Sequence, residues 1–183
     1  GAEFFYQLVT EKKNFVQDLC ACELDKGPHE FSEKFAQKIT NYFSLVANKA
    51  AAKVLVPTNG NLGATWTGSP SFEPFDTTGW LSGPTGVGYD RATTYDSLIG
   101  VDVGRQMRSN TSVYIRIDFD VSDPALVDLL ELRIKYDDGF VAFLNGEQLV
   151  SANSPASPGW NSSARGAHGG RGGARASGPE SKS

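Results

Sequence analysis

The 183 residues suffice for one domain, or for a small domain with an appendage. Hydrophobic residues make up 39% and charged residues 21%, enough to bury a core, and the 20 glycines exceed the usual share of about 7%. A net charge of −4 with no basic stripe among the aromatics argues against a nucleic-acid surface, and no apolar run approaches the roughly 20 residues of a membrane span.

Three zones differ in composition. Residues 1–53 hold seven Lys and no Arg against seven acids. Phe4, Phe5, Leu8, Phe15, Val16 and Leu19 fall near helical spacing, as do Phe31, Phe35, Ile39, Tyr42, Phe43 and Val46. Asp25-Lys26-Gly27-Pro28 separates the two sets, with Gly27 suited to a left-handed cap. The spacing predicts an α-helical hairpin over about 3–24 and 29–50, its apolar stripes packed on each other or on the next zone. Cys20, Cys22 and His29 lack the ligand spacing and second ligand pair of a zinc site, so the cysteines read as ordinary thiols.

Residues 54–164 carry five Arg and one Lys against ten Asp and three Glu. Short strands are expected at 53–56 and 64–67, followed by a glycine-punctuated, loop-rich stretch over 68–104. Residues 112–121 alternate: Val113, Ile115, Ile117, Phe119 and Val121 face the core, and Tyr114, Arg116, Asp118 and Asp120 face water. Residues 130–136 repeat the pattern with Leu130, Leu132, Ile134 and Tyr136 inward. Asp137-Asp138-Gly139 turns the chain into 140–144, and Asn145-Gly146 is a type I′ hairpin signal leading into 147–151. The expectation is a three-stranded meander within an antiparallel β-sandwich, because no helical crossovers separate the strands. Residues 165–183 hold six Gly, a net charge of +3 and no Val, Ile, Leu or aromatic residue, the composition of a disordered tail.

Several segments resemble one family. Trp66-Thr67-Gly68, Phe75-Asp76, Gly79-Trp80 and Gly83 through Tyr89 resemble the opening of a galactose-binding-domain-like β-sandwich. Tyr114 to Phe119 resembles its central strand, and Tyr136-Asp137-Asp138-Gly139 through Leu144-Asn145-Gly146 its later hairpin. Asn153-Ser154-Pro155 and Trp160-Asn161 resemble the segment that follows. The likeness covers about 60–164. It implies an incomplete jelly-roll-like sandwich, lacking its closing strands and preceded by the helical hairpin. Such modules belong to secreted multidomain bacterial proteins, often beside lamin-tail-like or spore-coat-kinase-like domains. The chain begins Gly1-Ala2-Glu3 and its one methionine is Met107, as expected of a fragment or processed product, so a missing export signal says nothing about location.

Candidate site residues are few. Trp160 is the aromatic ring most suited to stacking on a sugar, whereas Trp66 and Trp80 sit among turn glycines and are expected to plug the ends of the core. Asp137 and Asp138 offer carboxylates to a Ca²⁺ ion, or serve only as turn formers. Asn110-Thr111-Ser112 and Asn161-Ser162-Ser163 fit the N-glycosylation sequon. His29 and His168 are poorly placed as general bases, and no hydrolase, nucleotide or zinc-protease motif occurs, so no catalytic residue is expected. The function this implies is a non-catalytic accessory module of a secreted or cell-surface protein. Its partner would be a polysaccharide or a neighbouring domain. The alternative is a purely structural spacer without a ligand, its N-terminal helices ending a neighbouring catalytic domain.

Overall fold

The computed structural model describes residues 3–14, 39–91, 95–127, 129–167 and 172–177. Among them the chain is built from strands: β1 (Glu3–Asn14), β2 (Ile39–Val46), β3 (Ala51–Leu55), β4 (Leu81–Pro84), β5 (Val87–Gly88), β6 (Val101–Asp102), β7 (Tyr114–Arg116), β8 (Leu129–Tyr136), β9 (Phe140–Leu144), β10 (Glu147–Ala152) and β11 (Gly172–Ser177). Single 3-10 turns punctuate the connections. One sheet runs β11-β8-β1-β5-β6, with β2 also paired to β1; a second runs β4-β3-β7; β9 and β10 form a separate hairpin. The ladders are antiparallel except β5–β6, which is parallel. The chain is thus mainly β, and no described helix is long and apolar enough to cross a membrane.

The helical hairpin gives way to strands. Glu3–Asn14 pairs with β8 through Phe5↔Lys135 to Glu11↔Leu129, and with β2 through Leu8↔Val46 to Asn14↔Ile39. The reason lies in residue type. Phe4, Phe5, Tyr6, Val9 and Thr10, and then Ile39, Thr40, Tyr42, Phe43 and Val46, are aromatic or β-branched, which favours a pleated surface; an apolar run this short fits either period. Residues 47–50, expected to end the second helix, form a turn between β2 and β3, and the rest of the expected hairpin, with Cys20, Cys22 and His29, lies outside the described residues, as does His168. The tail is also not wholly irregular: Gly172–Ser177 forms a ladder with β8 from Gly172↔Tyr136 to Ser177↔Glu131. Ladder bonds join backbone to backbone, so a segment without large apolar side chains can add to an open edge.

Three expectations in the second zone are also revised. Residues 64–67 form a 3-10 turn at Thr65–Thr67, not a strand. Within 112–121 only Tyr114–Arg116 is laddered. The meander is broken between β8 and β9, because β1 and β11 occupy both edges of β8 and leave no ladder position for β9. The hairpin itself forms as expected. Asn145 and Gly146 adopt φ of 49° and 90°, the left-handed pair that a type I′ turn requires.

The packed core has two parts joined by β7. Ala52, Val54 and Val56 meet Val87, Val101 and Val103, which packs the three-stranded sheet against the β5–β6 end of the larger one. Val54 and Val87 are 0% exposed. Ile134 and Tyr136 of β8 meet Phe140 of β9. Val113 and Ile115 pack against both groups. The inward face expected of β8 is therefore real at Ile134 and Tyr136. Further along it, Leu130 and Leu132 are half-buried and line a cleft.

One buried polar atom stands out. Thr85 is 1% exposed, and its hydroxyl oxygen has no hydrogen-bond partner among the described residues. An unmade hydrogen bond in the interior carries the desolvation cost of the group without a return. Thr85→Val keeps the shape and removes that hydroxyl. It is expected to raise the unfolding free energy by about 1 kcal/mol in urea titrations; a loss of stability would show that the hydroxyl is in fact satisfied.

Candidate binding site

A cleft of about 1540 Å³ opens where the packed core ends. Ile117, Phe119, Leu130 and Leu132 contribute apolar wall, and Trp160, Asn110, Thr111, Ser112 and Ser162 contribute to the lining elsewhere. A mostly apolar concavity with a few fixed polar groups is the common form of a binding site.

Trp160 is held by its neighbours. The Ser162 N–H donates to the Gly159 carbonyl at 3.3 Å, and the Gly159 N–H donates to the Ser162 hydroxyl at 2.7 Å, closing a turn around Trp160. The next residue anchors that turn. The Thr111 N–H donates to Asn161 Oδ1 at 2.7 Å, and the Thr111 hydroxyl donates to the Asn161 carbonyl at 2.8 Å. The Ser112 hydroxyl donates to the Ser162 carbonyl at 2.8 Å. The indole abuts Gly60, where a Cβ would stand 2.8 Å from Trp160 Cδ1. Trp160 remains 36% exposed. The sequence singled out Trp160 but not Gly60 or the Thr111–Asn161 clamp, whose partners lie 50 residues apart. The two sequons contain the clamp residues, Thr111 in one and Asn161 in the other.

Asp137 and Asp138 occupy the connection between β8 and β9, the first half-buried and the second exposed. The Asp138 carbonyl accepts from Asn153 Nδ2 at 3.0 Å, and Asn153, at φ 52°, also donates to the Gly166 carbonyl. The turn is thus tied to the segment beyond β10. Among the described residues no group of three or more His, Cys, Asp or Glu is placed to hold a metal ion.

Trp66 is not an end plug. Its ring stacks on Tyr114 at 4.0 Å with an interplanar angle of 9°, and Phe143 meets it edge-on at 6.0 Å. Tyr114 and Arg116, expected in water, are covered by the 62–76 segment. The Arg116 side chain is only 11% exposed. It donates to the Trp66 carbonyl and to Glu73 Oε1, both at 2.8 Å, and its guanidinium lies 5.0 Å from the centre of the Phe75 ring. Phe75 in turn meets Trp80 edge-on at 5.8 Å. Burial pushes the Tyr114 hydroxyl above its usual value of 10.0. A large indole needs apolar surface, and the outer face of β7 supplies it; this arrangement makes the Trp66 segment a structural cover.

The Arg116 hydrogen bond, reinforced by the N–H of Phe75, holds the Glu73 carboxyl below its ordinary 4.5. A depressed carboxylate stabilises the fold above that value and loses its contribution as pH falls through the lowered one. The melting temperature of Glu73→Gln should therefore lie below that of the wild type at neutral pH, with the gap closing on acidification below 4.5. A gap independent of pH would contradict the ion pair's role.

No family model, curated protein or solved structure matches the chain.

Proposed function

We propose that the chain is a non-catalytic accessory module of a secreted or cell-surface protein, with a jelly-roll-like β-sandwich fold of the galactose-binding kind, and that it binds polysaccharide at the Trp160 rim. The observation that carries this reading is a part-exposed indole fixed beside hydroxyl and amide groups. An aromatic face suits the C–H side of a pyranose, and Trp keeps a polar N–H for a partner. The neighbouring Thr111, Ser112, Asn161 and Ser162 are uncharged and already hydrogen-bonded to one another, so the rim is preorganised. A neutral rim of this kind complements a neutral polyol better than an ion. The fold analogy supplies no site by itself; the site residues carry the function.

The test is retention of the purified chain on insoluble cellulose, chitin, xylan, mannan and galactan. Retention on at least one matrix is expected, and Trp160→Ala should weaken it about tenfold, or 1.4 kcal/mol. A folded wild type that passes through all five matrices would overturn the reading.

A further inference from the structure

We propose a second binding site, for a sulfate or phosphate monoester, formed by Arg91, Arg105 and Arg108. It goes beyond the polysaccharide reading and stands or falls without it.

Of the five arginines in 54–164, two face carboxylates: Arg116 pairs with Glu73 at 2.8 Å and Arg133 with Glu131 at 2.6 Å. The other three line one small pocket of about 280 Å³, together with Tyr89, Gly104 and Met107. None of these three makes an ion pair among the described residues. Their convergence follows from topology. β5 and β6 are parallel, with Val87↔Val101 and Gly88↔Asp102, so both strands deliver their following residues to the same end of the sheet. The Val103 N–H extends that pairing by donating to the Gly88 carbonyl at 3.0 Å.

Beyond β5 comes Arg91, whose guanidinium lies 5.8 Å from the centre of the Tyr89 ring. Beyond β6 the chain turns over the buried Val103, which accepts the N–H groups of Gln106 and Met107 at 3.0 and 2.9 Å. The 3-10 turn at Gln106–Arg108 repeats every three residues, so Arg105 at its start and Arg108 at its end project from the same side. Gly104 lets the turn press against Tyr89, where a Cβ would stand 3.1 Å from Tyr89 Cβ.

The pocket also holds two carboxylates, and each accepts a backbone N–H. Asp90 Oδ2 accepts from the Tyr95 N–H at 2.8 Å, and Asp102 Oδ1 from the Gly104 N–H at 2.7 Å. Three cations against two anions leave the pocket positive, within a segment whose thirteen acids outnumber its six bases. The excess positive charge repels itself, and a bound oxyanion relieves that repulsion. Guanidinium offers paired N–H donors that match the oxygens of phosphate or sulfate. Tyr89 and Met107 also line the larger cleft, so the two sites share a wall.

The experiment is an amide NMR titration of the full chain with glucose 6-sulfate and, separately, glucose 6-phosphate at low ionic strength. Saturable shifts are expected at Gly104, Arg105 and Met107. Affinity should fall at least tenfold in Arg105→Gln/Arg108→Gln, whose side chains are exposed, and stay unchanged in Arg133→Gln. Saturation by one ester alone identifies it as the source. Shifts that fail to saturate with either ester, or that persist at wild-type affinity in the double variant, would overturn the proposal.

Discussion

Trp66→Ala is expected to destabilise the protein by about 3 kcal/mol, at the lower end for truncating a packed aromatic because the ring is not fully buried. The substitution removes the stack on Tyr114 and the edge contact with Phe143. Each such aromatic pair contributes about 0.5–1.5 kcal/mol beyond its buried area. The Trp66 carbonyl remains as an acceptor for Arg116, so the loss reports the ring and not the salt bridge beside it. Urea unfolding at neutral pH measures it. A change below about 1 kcal/mol, the range of ordinary surface substitutions and small defects, would mean that the 62–76 segment does not rest on β7.

Gly100→Ala is expected to cost about 3 kcal/mol or more, the upper range for forcing atoms into a filled site. A Cβ at this position would collide with the Pro84 carbonyl oxygen and stand 2.8 Å from its carbon, and backbone cannot swing aside as a side-chain tip can. The Gly100 N–H donates to the Gly86 carbonyl at 2.7 Å, so the clash falls where the chain after β4 meets the start of β6. Gly166→Ala is the control. Among the described residues, no atom beyond its chain neighbours lies within 4 Å of a Cβ there, and its melting temperature should match the wild type. Equal behaviour of the two variants in thermal unfolding would contradict the packing of Gly100.

Local signals were the legible part of this fold. Asn145-Gly146 gave a type I′ hairpin because both positive φ values are a property of the two residues themselves. The alternation in 130–136 identified Ile134 and Tyr136 as buried because one face of β8 meets the core. Partner choice was not legible. Nothing local to 130–151 says that β1 and β11 take both edges of β8, so the meander was a reasonable but incorrect extrapolation. The aromatic-rich stretches at 3–14 and 39–46 fit two periods, and pairing partners decided between them. Tyr114 and Arg116 fell on the outward side of the alternation, yet a segment some 50 residues earlier covers them. Trp160 was recognisable as a candidate by residue type alone. The three arginines were not, because only the parallel pairing of β5 and β6 unites Arg91 with Arg105 and Arg108; the three-residue spacing of the latter two was the only trace in the sequence.

Affinity electrophoresis tests the role of Trp160 most directly. Wild type and Trp160→Ala are run through native gels containing soluble xylan, galactomannan, galactan, hydroxyethylcellulose or glycol chitin, with a polysaccharide-free gel as reference. Retardation of the wild type is predicted in at least one gel, with the variant migrating there much as it does in the reference. Equal retardation of the two proteins would contradict a binding role for the Trp160 rim, and so would free migration of the folded wild type in every gel.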